Sequence, residues 1–259
     1  MAEKILLLIE GEKTEKSFFE NYNKSFLGKD VEIVSLRCNI YSLYQLMKSY
    51  DFDIEIEKAI LEAPNCSETD KAKVRGKKFP SKYCIFDFDF QENSMSSKGK
   101  IDAVNKLIEL FNNDTEYGLL FINYPRFESI REQYKRESLE GNTYDPFNKL
   151  GYKQQIESRG RKLDFDKLKF QDYGSLLKDS LKMTNYILSK EFSISKETIH
   201  EDTAKKLFRR QVERLKEKNC VYCVNTSIQI PCYFSGINIL KKIWYISSIR
   251  NKNLINLLS

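Results

Sequence analysis

The sequence predicts an α/β fold: a mostly parallel sheet flanked by helices, with a mainly helical addition towards the C-terminus. Three observations predict it. Short apolar runs alternate with amphipathic stretches over roughly the first 135 residues of a 259-residue chain. The segments between the runs are long enough for the crossover helices that parallel strands require. Hydrophobic residues make up 41 % and aromatic residues 13 % of the chain, enough to fill a sizeable core and to set disorder aside.

Taken in order, Lys4 to Ile9 reads as a first strand and Thr14 to Phe26 as a helix. Val31 to Leu36 is a second strand, and Ile40 to Ala63 a helical stretch broken near Asp51. Pro64 to Lys82, rich in lysine and small polar residues, reads as an exposed loop. Tyr83 to Phe88 and Tyr117 to Asn123 are further strands, with a helix over Lys98 to Asn112 between them. After Glu128 the character changes. Gly141-Asn142 and Gly151 punctuate a polar region, with helices expected near Tyr173 to Lys190, Thr203 to Lys218 and Asn238 to Ser247. Val221 to Tyr233 looks strand-like. The expected division is a core over residues 1–135 and a basic, mainly helical region over 136–259.

Composition narrows the function classes. No run approaches the roughly 18 apolar residues of a membrane span, and a strand begins within four residues of the N-terminus, leaving no room for a signal peptide. A cytoplasmic protein is expected. The six cysteines (38, 66, 84, 220, 223 and 232) form no regular framework. Cys84, inside an apolar strand, reads as a buried thiol. Cys220 and Cys223, with Cys232 nearby, are a zinc candidate that lacks a fourth ligand. The lone histidine, His200, sits in a polar loop or helix start, which argues against a Ser-His-Asp triad, a Cys-His dyad or a His-rich metal site. Acid–base work then falls to carboxylates, lysines or tyrosines.

The chemistry concentrates in two strand ends. Ile5-Leu6-Leu7-Leu8-Ile9 runs into Glu10 and Gly11, and a helix carrying Glu15 follows at once. Gly11 permits a tight turn or a close approach. Phe86-Asp87-Phe88-Asp89-Phe90 ends a second apolar strand, and the period of 2 puts both aspartates on one side and the phenylalanines on the other. Carboxylates at the ends of two core strands repel unless a positive group sits among them. A divalent cation answers this, and oxygen-only ligands suit magnesium or manganese. Ligands of open α/β sheets bind beyond the carboxyl ends of the strands, where Glu10, Asp87 and Asp89 converge if their strands are neighbours. Glu15 either faces that crevice or simply stabilises the helix N-terminus. Glu128 is a further metal candidate, or a cap for the next helix. Lys98 and Lys100 are candidates for phosphate contact, or solvated loop lysines.

Charge divides along the chain. Residues 1–130 hold 18 basic and 22 acidic side chains, net −4; residues 131–259 hold 25 and 15, net +10. Lys205, Lys206, Arg209, Arg210 and Arg214 are expected to form a phosphate-facing helix surface. The alternative is a solvated face with intrahelical pairs to Glu213 and Glu217.

A glutamate after the first strand and an Asp-x-Asp after a later one resemble the Toprim domain, a Rossmann-like α/β fold. The stretch Glu10-Gly11-Glu12-Lys13-Thr14-Glu15 is similar to that of OLD- and RloB-like Toprim proteins of bacterial defence systems. Asn123-Tyr124-Pro125-Arg126-Phe127-Glu128 looks like their Asn-Pro-x-Phe-Glu-type segment, with Tyr124 where asparagine usually precedes proline. The resemblance covers about the first 130 residues. It implies a magnesium-dependent nuclease in which Glu10 serves acid–base chemistry or metal binding and Asp87 and Asp89 hold the metal. It further implies a role in antiviral defence (abortive infection), with DNA or RNA as substrate and a separate ABC- or AAA-type ATPase subunit as partner. A second copy of the chain is another candidate partner. The chain has no Gly-x-x-x-x-Gly-Lys-Ser/Thr loop, so ATPase activity would reside elsewhere. Two other readings stand beside this one: a Toprim-like module that binds nucleic acid or a partner without cutting, and a different Toprim reaction such as primer synthesis or strand passage.

Overall fold

The computed structural model describes residues 4–91, 95–148 and 151–235, together with 239 and 241. Its first strand, β1 (Ile5–Ile9), lies inside a five-stranded sheet. The chain leaves β1 through α1 (Thr14–Tyr22), prolonged by a π-helical turn over Asn23–Leu27, to reach β2 (Val31–Ser35) on one flank. It then passes through α2 (Ile40–Lys48), α3 (Ile56–Glu62) and α4 (Glu68–Val74), and returns to β3 (Ser81–Asp87) on the other flank of β1. A further helix, α5 (Ser97–Leu110), leads to the short β4 (Asn112–Asn113) and then β5 (Gly118–Asn123); α6 (Tyr152–Arg159) follows later in the chain. The order is β2-β1-β3-β5-β4, with β4 alone antiparallel. Chain direction across the sheet therefore reverses between β1 and β3, the kind of switch point at which open α/β sheets form ligand crevices.

The strands are apolar on both faces, as central parallel strands must be when helices cover them. Leu6, Leu8, Cys84, Phe86, Leu120 and Ile122 face one core; Ile5, Leu7, Ile9, Tyr83, Ile85, Leu119 and Phe121 face the other. The first core is closed by α2, α3 and α5, and by α8 (Thr203–Lys218), through Leu207, Phe208, Val212 and Leu215. The second is closed by α1 and by α7 (Phe170–Ser189). Phe18 stands at its centre, with ring centroids of Phe19, Phe127, Phe165, Tyr173 and Tyr22 at 5.1–5.7 Å. Both clusters draw residues from either side of position 135, so the change of composition there falls within continuous packing. No described helix is long and apolar enough to cross a membrane.

Several expectations are corrected. Pro64 to Lys82 is not a simple exposed loop: Ser67 caps α4, whose Asp70 and Val74 are buried. Val221 to Tyr233 is not one strand. β7 (Val221–Tyr222) pairs with β6 (Thr143–Tyr144), and Val224 makes an isolated antiparallel bridge to Tyr124; a 3-10 turn over Ser227–Gln229 and α9 (Ile230–Ser235) follow. The break near Asp51 does occur, where Asp51 and Phe52 take left-handed backbone angles between α2 and α3. The helix expected at Asn238 to Ser247 lies almost wholly outside the described residues. Cys84 is buried as expected. Cys223 and Cys232 belong to different apolar clusters, and among the described residues Cys220, Cys223 and Cys232 form no metal-holding group.

Candidate active site

Glu10 follows β1 directly and Asp87 ends β3; these strands are hydrogen-bonded neighbours, with Ile9 opposite Ile85. The two carboxylates thus meet at the carboxyl edge of the sheet, and Glu10 Oε2 accepts from the Asp87 backbone N–H at 3.1 Å. Asp87 is in register with Asn123, the last residue of β5, whose Nδ2 donates to Asp87 Oδ1 at 3.3 Å. Asn123 is fully buried, and its Oδ1 accepts from the Ser227 N–H. The alternation read from the sequence holds: Phe86, Phe88 and Phe90 enter the core while Asp87 and Asp89 stay half-buried at the surface.

Glu15 is 6 % exposed and faces this crevice. Its Oε2 accepts from the Gly11 N–H at 2.5 Å, while Oε1 is buried with no hydrogen-bond partner. A Cβ on residue 11 would lie 2.8 Å from that Oε2, so glycine lets the carboxylate fold back onto the turn. Glu128 lies on a 3-10 turn over Phe127–Arg131, placed by Phe127, which packs on Phe18.

The electrostatics record the crowding. Burial, then the Asp87 charge, holds the Glu10 carboxyl well above the usual range, with Arg126 opposing. Burial, followed by Asp87, Glu10 and Glu128, does the same to Glu15. Asp87 is pushed from 3.8 up to about 7, first by burial and then by Glu128, against the Phe127 N–H, Asn123 and Arg126. These are desolvation and like-charge effects acting together. Burial, with Glu10 adding, raises the nearby Cys38 thiol to about 12, which leaves it inert as a nucleophile at neutral pH.

Arg126 supplies a positive charge at this edge and pairs with Asp89. Among the described residues, no group of three or more His, Cys, Asp or Glu side chains stands ready to hold one metal ion. The hydrogen bonds indicate why: Asp89 is engaged by Arg126, Glu15 by Gly11 and Glu10 by the Asp87 amide. The donor set, all carboxylate oxygen with one buried oxygen unpartnered, matches a hard divalent cation; its rotamers do not close on one.

The remaining sequence candidates separate. Lys98 is exposed in the first turn of α5. Lys100 is buried; its Nζ donates to the Phe90 carbonyl at 2.7 Å and lies over the Phe90 ring, so it braces the Asp89 loop and is not presented to a phosphate. On α8, Lys205, Lys206, Arg209 and Arg210 are exposed, the last two beside Glu213. Arg214 departs from that face: it bonds Glu140 and the Tyr222 hydroxyl and stacks 3.9 Å over the Tyr222 ring. The contacts of Asn123 and Arg126 with the two aspartates went unseen in the sequence, although their segment was singled out there. The signal is register: only strand pairing shows that Asn123 stands opposite Asp87. Comparison with protein-family models, with curated proteins and with solved structures gives no match to this chain.

Proposed function

We propose that this chain is a divalent-cation-dependent nuclease of the Toprim type, related to the OLD- and RloB-like effectors of bacterial defence and cleaving phosphodiester bonds of DNA or RNA. The observation that carries the proposal is the convergence of Glu10, Glu15 and Asp87 at the β1/β3 switch point, with carboxyls raised by burial and mutual repulsion. Glu10, Asp87 and Asp89 would hold magnesium or manganese, with Glu128 at the margin. When bound, the cation supplies charge neutralisation of the phosphate and orientation of the attacking oxygen. The protein's own groups do the rest. Glu10, whose carboxyl burial and the Asp87 charge hold above the usual range, is the candidate to carry the proton of the reaction. The Asp87 and Asp89 charges favour the protonated form of Glu10, and the Asp87 and Glu10 charges that of Glu15. Lys98 and the exposed residues Lys205, Lys206, Arg209 and Arg210 offer phosphate contacts. A separate ATPase subunit would control the activity.

One observation favours the non-cleaving reading, a binding module: the Arg126–Asp89 ion pair occupies a carboxylate that the cation would need. Cleavage assays on DNA and cellular RNA with magnesium, manganese or EDTA separate the two. Metal-dependent cutting lost in Glu10→Ala and Asp87→Ala is expected. Cutting that persists in both variants refutes the assignment, and binding without cutting favours the module.

A further inference from the structure

Beside the acidic edge lies a side chain that the fold does not use. Phe147 is 62 % exposed, the large hydrophobic side chain left most open among the described residues. Single exposed apolar residues are common and mean little alone. This one is held in place. Its ring meets Phe90 edge to face, with centroids 6.0 Å apart, and its backbone N–H donates to Asp145 Oδ1 at 2.8 Å. Gln91 ties the two loops together: its backbone N–H donates to Asp89 Oδ1 at 3.2 Å, and its side-chain amide to the Pro146 carbonyl at 2.8 Å. One residue thus fixes the exposed ring relative to Asp89, and Asp89 in turn holds Arg126. An exposed aromatic ring tied through Gln91 and Asp89 to a guanidinium brings together the two groups with which proteins take up unpaired nucleotides, ring against base and cation against phosphate. In a duplex the base faces are covered by their neighbours, so only an unstacked strand offers one to a single ring.

We infer that Phe147 is a stacking platform for an unpaired base, that Arg126 exchanges Asp89 for the adjoining phosphate, and that the preferred substrate is single-stranded or locally unpaired nucleic acid. The inference rests on the nuclease reading for its biological sense, but its test does not. The exchange also returns Asp89 to the carboxylate cluster when a strand is present, coupling substrate arrival to completion of the ligand set.

The test uses the full chain carrying Glu10→Ala, in EDTA, with a short single-stranded oligonucleotide bearing a fluorescent adenine analogue and the same strand in a duplex. The expected result is tighter binding of the single strand, with quenching of the analogue. Phe147→Ala should weaken single-strand binding by about 5- to 150-fold and abolish the quench, whereas Phe147→Trp restores both. Phe147 is exposed, so the variants change one ring contact with Phe90 and remove no buried side chain. Equal binding of strand and duplex, no binding of either, or an unchanged quench in Phe147→Ala overturns the platform, whatever the cleavage assays give. Stacking retained by a protein that never cuts leaves the platform standing and removes the nuclease reading.

Discussion

Replacing Asp87 by asparagine should stabilise the metal-free protein at alkaline pH while removing its chemistry. Asparagine keeps one oxygen to accept from Asn123 and removes the charge, at the expense of the acceptor that meets the Phe127 N–H. The sign follows from the raised carboxyl. In the unfolded chain it titrates near 3.8, in the fold at about 7. The native state therefore holds the proton more tightly. Its contribution to stability is complete below the unfolded value and is lost as pH rises through about 7. Above that, the carboxylate opposes folding by up to about 4 kcal/mol, at 1.36 kcal/mol for each tenfold shift in proton affinity. Asp87 is half-buried and its neighbours can relax, so about 2–4 kcal/mol is the working range, or roughly 5–15 °C in Tm for a chain of this size. Thermal unfolding by circular dichroism in EDTA, at about pH 4 and pH 8, reads it directly. Asp87→Asn should match the parent at the acid end and melt higher at the alkaline end. Magnesium at alkaline pH should raise the melting temperature of the parent and not that of the variant. An Asp87→Asn protein that is less stable at about pH 8, or shifted equally at both pH values, would refute the idea that mutual repulsion and burial strain this edge.

Arg126→Ala should release Asp89 and tighten manganese binding about fivefold by calorimetry, the scale of one partly exposed ion pair; unchanged or weaker binding would show that Arg126 does not compete with the cation. Phe18→Ala removes the hub of the aromatic cluster beneath Glu15 and Glu128, and denaturant unfolding should register a loss of about 3–5 kcal/mol. Arg209→Glu with Arg210→Glu should weaken oligonucleotide binding and shallow its dependence on log salt by about two. Arg214→Glu should instead lower the melting temperature, because that side chain is tied to Glu140 and Tyr222.

What the sequence made legible was whatever period and apolarity encode. The β1, β2, β3 and β5 strands and the helices over Thr14, Lys98, Tyr173 and Thr203 follow from runs that tertiary packing then covers. The alternation of Phe86 to Phe90 even assigned each side chain its face. Helix α4 escaped because Asp70, a residue type that signals a surface, is buried there between Lys16 and Lys73. Val221 to Tyr233 misled in the opposite direction. Its strand-forming composition is overruled by the buried side chains of Asn225, Thr226 and Gln229, which bond Phe127, Ile122, Ser180 and Thr184 and turn the chain into the core. Lys100 and Arg214 have charges that read as surface groups. Their stems and heads are captured by partners distant in sequence, which no local pattern records.

The acidic edge is also where the fold is least consistent with stability alone. Glu15 Oε1 is buried without a partner, as are one oxygen each of Glu57 and Asp70; but those two carboxylates face lysines, whereas Glu15 lies among the charges of Glu10, Asp87 and Glu128. Sites that violate local physical preference in this way are the expected exceptions in a sequence otherwise consistent from pattern to core. The Arg126–Asp89 pair relieves part of the repulsion and leaves Glu10, Glu15 and Asp87 holding protons more tightly than usual. A ligand that brings positive charge to Glu10 and negative charge to Arg126 resolves both conflicts together, and a metal-bound phosphodiester has that polarity. Removing Arg126 or Asp87 should therefore separate the two halves of that demand: Arg126→Ala favours the cation and weakens the strand, whereas Asp87→Asn loses the cation and keeps the strand.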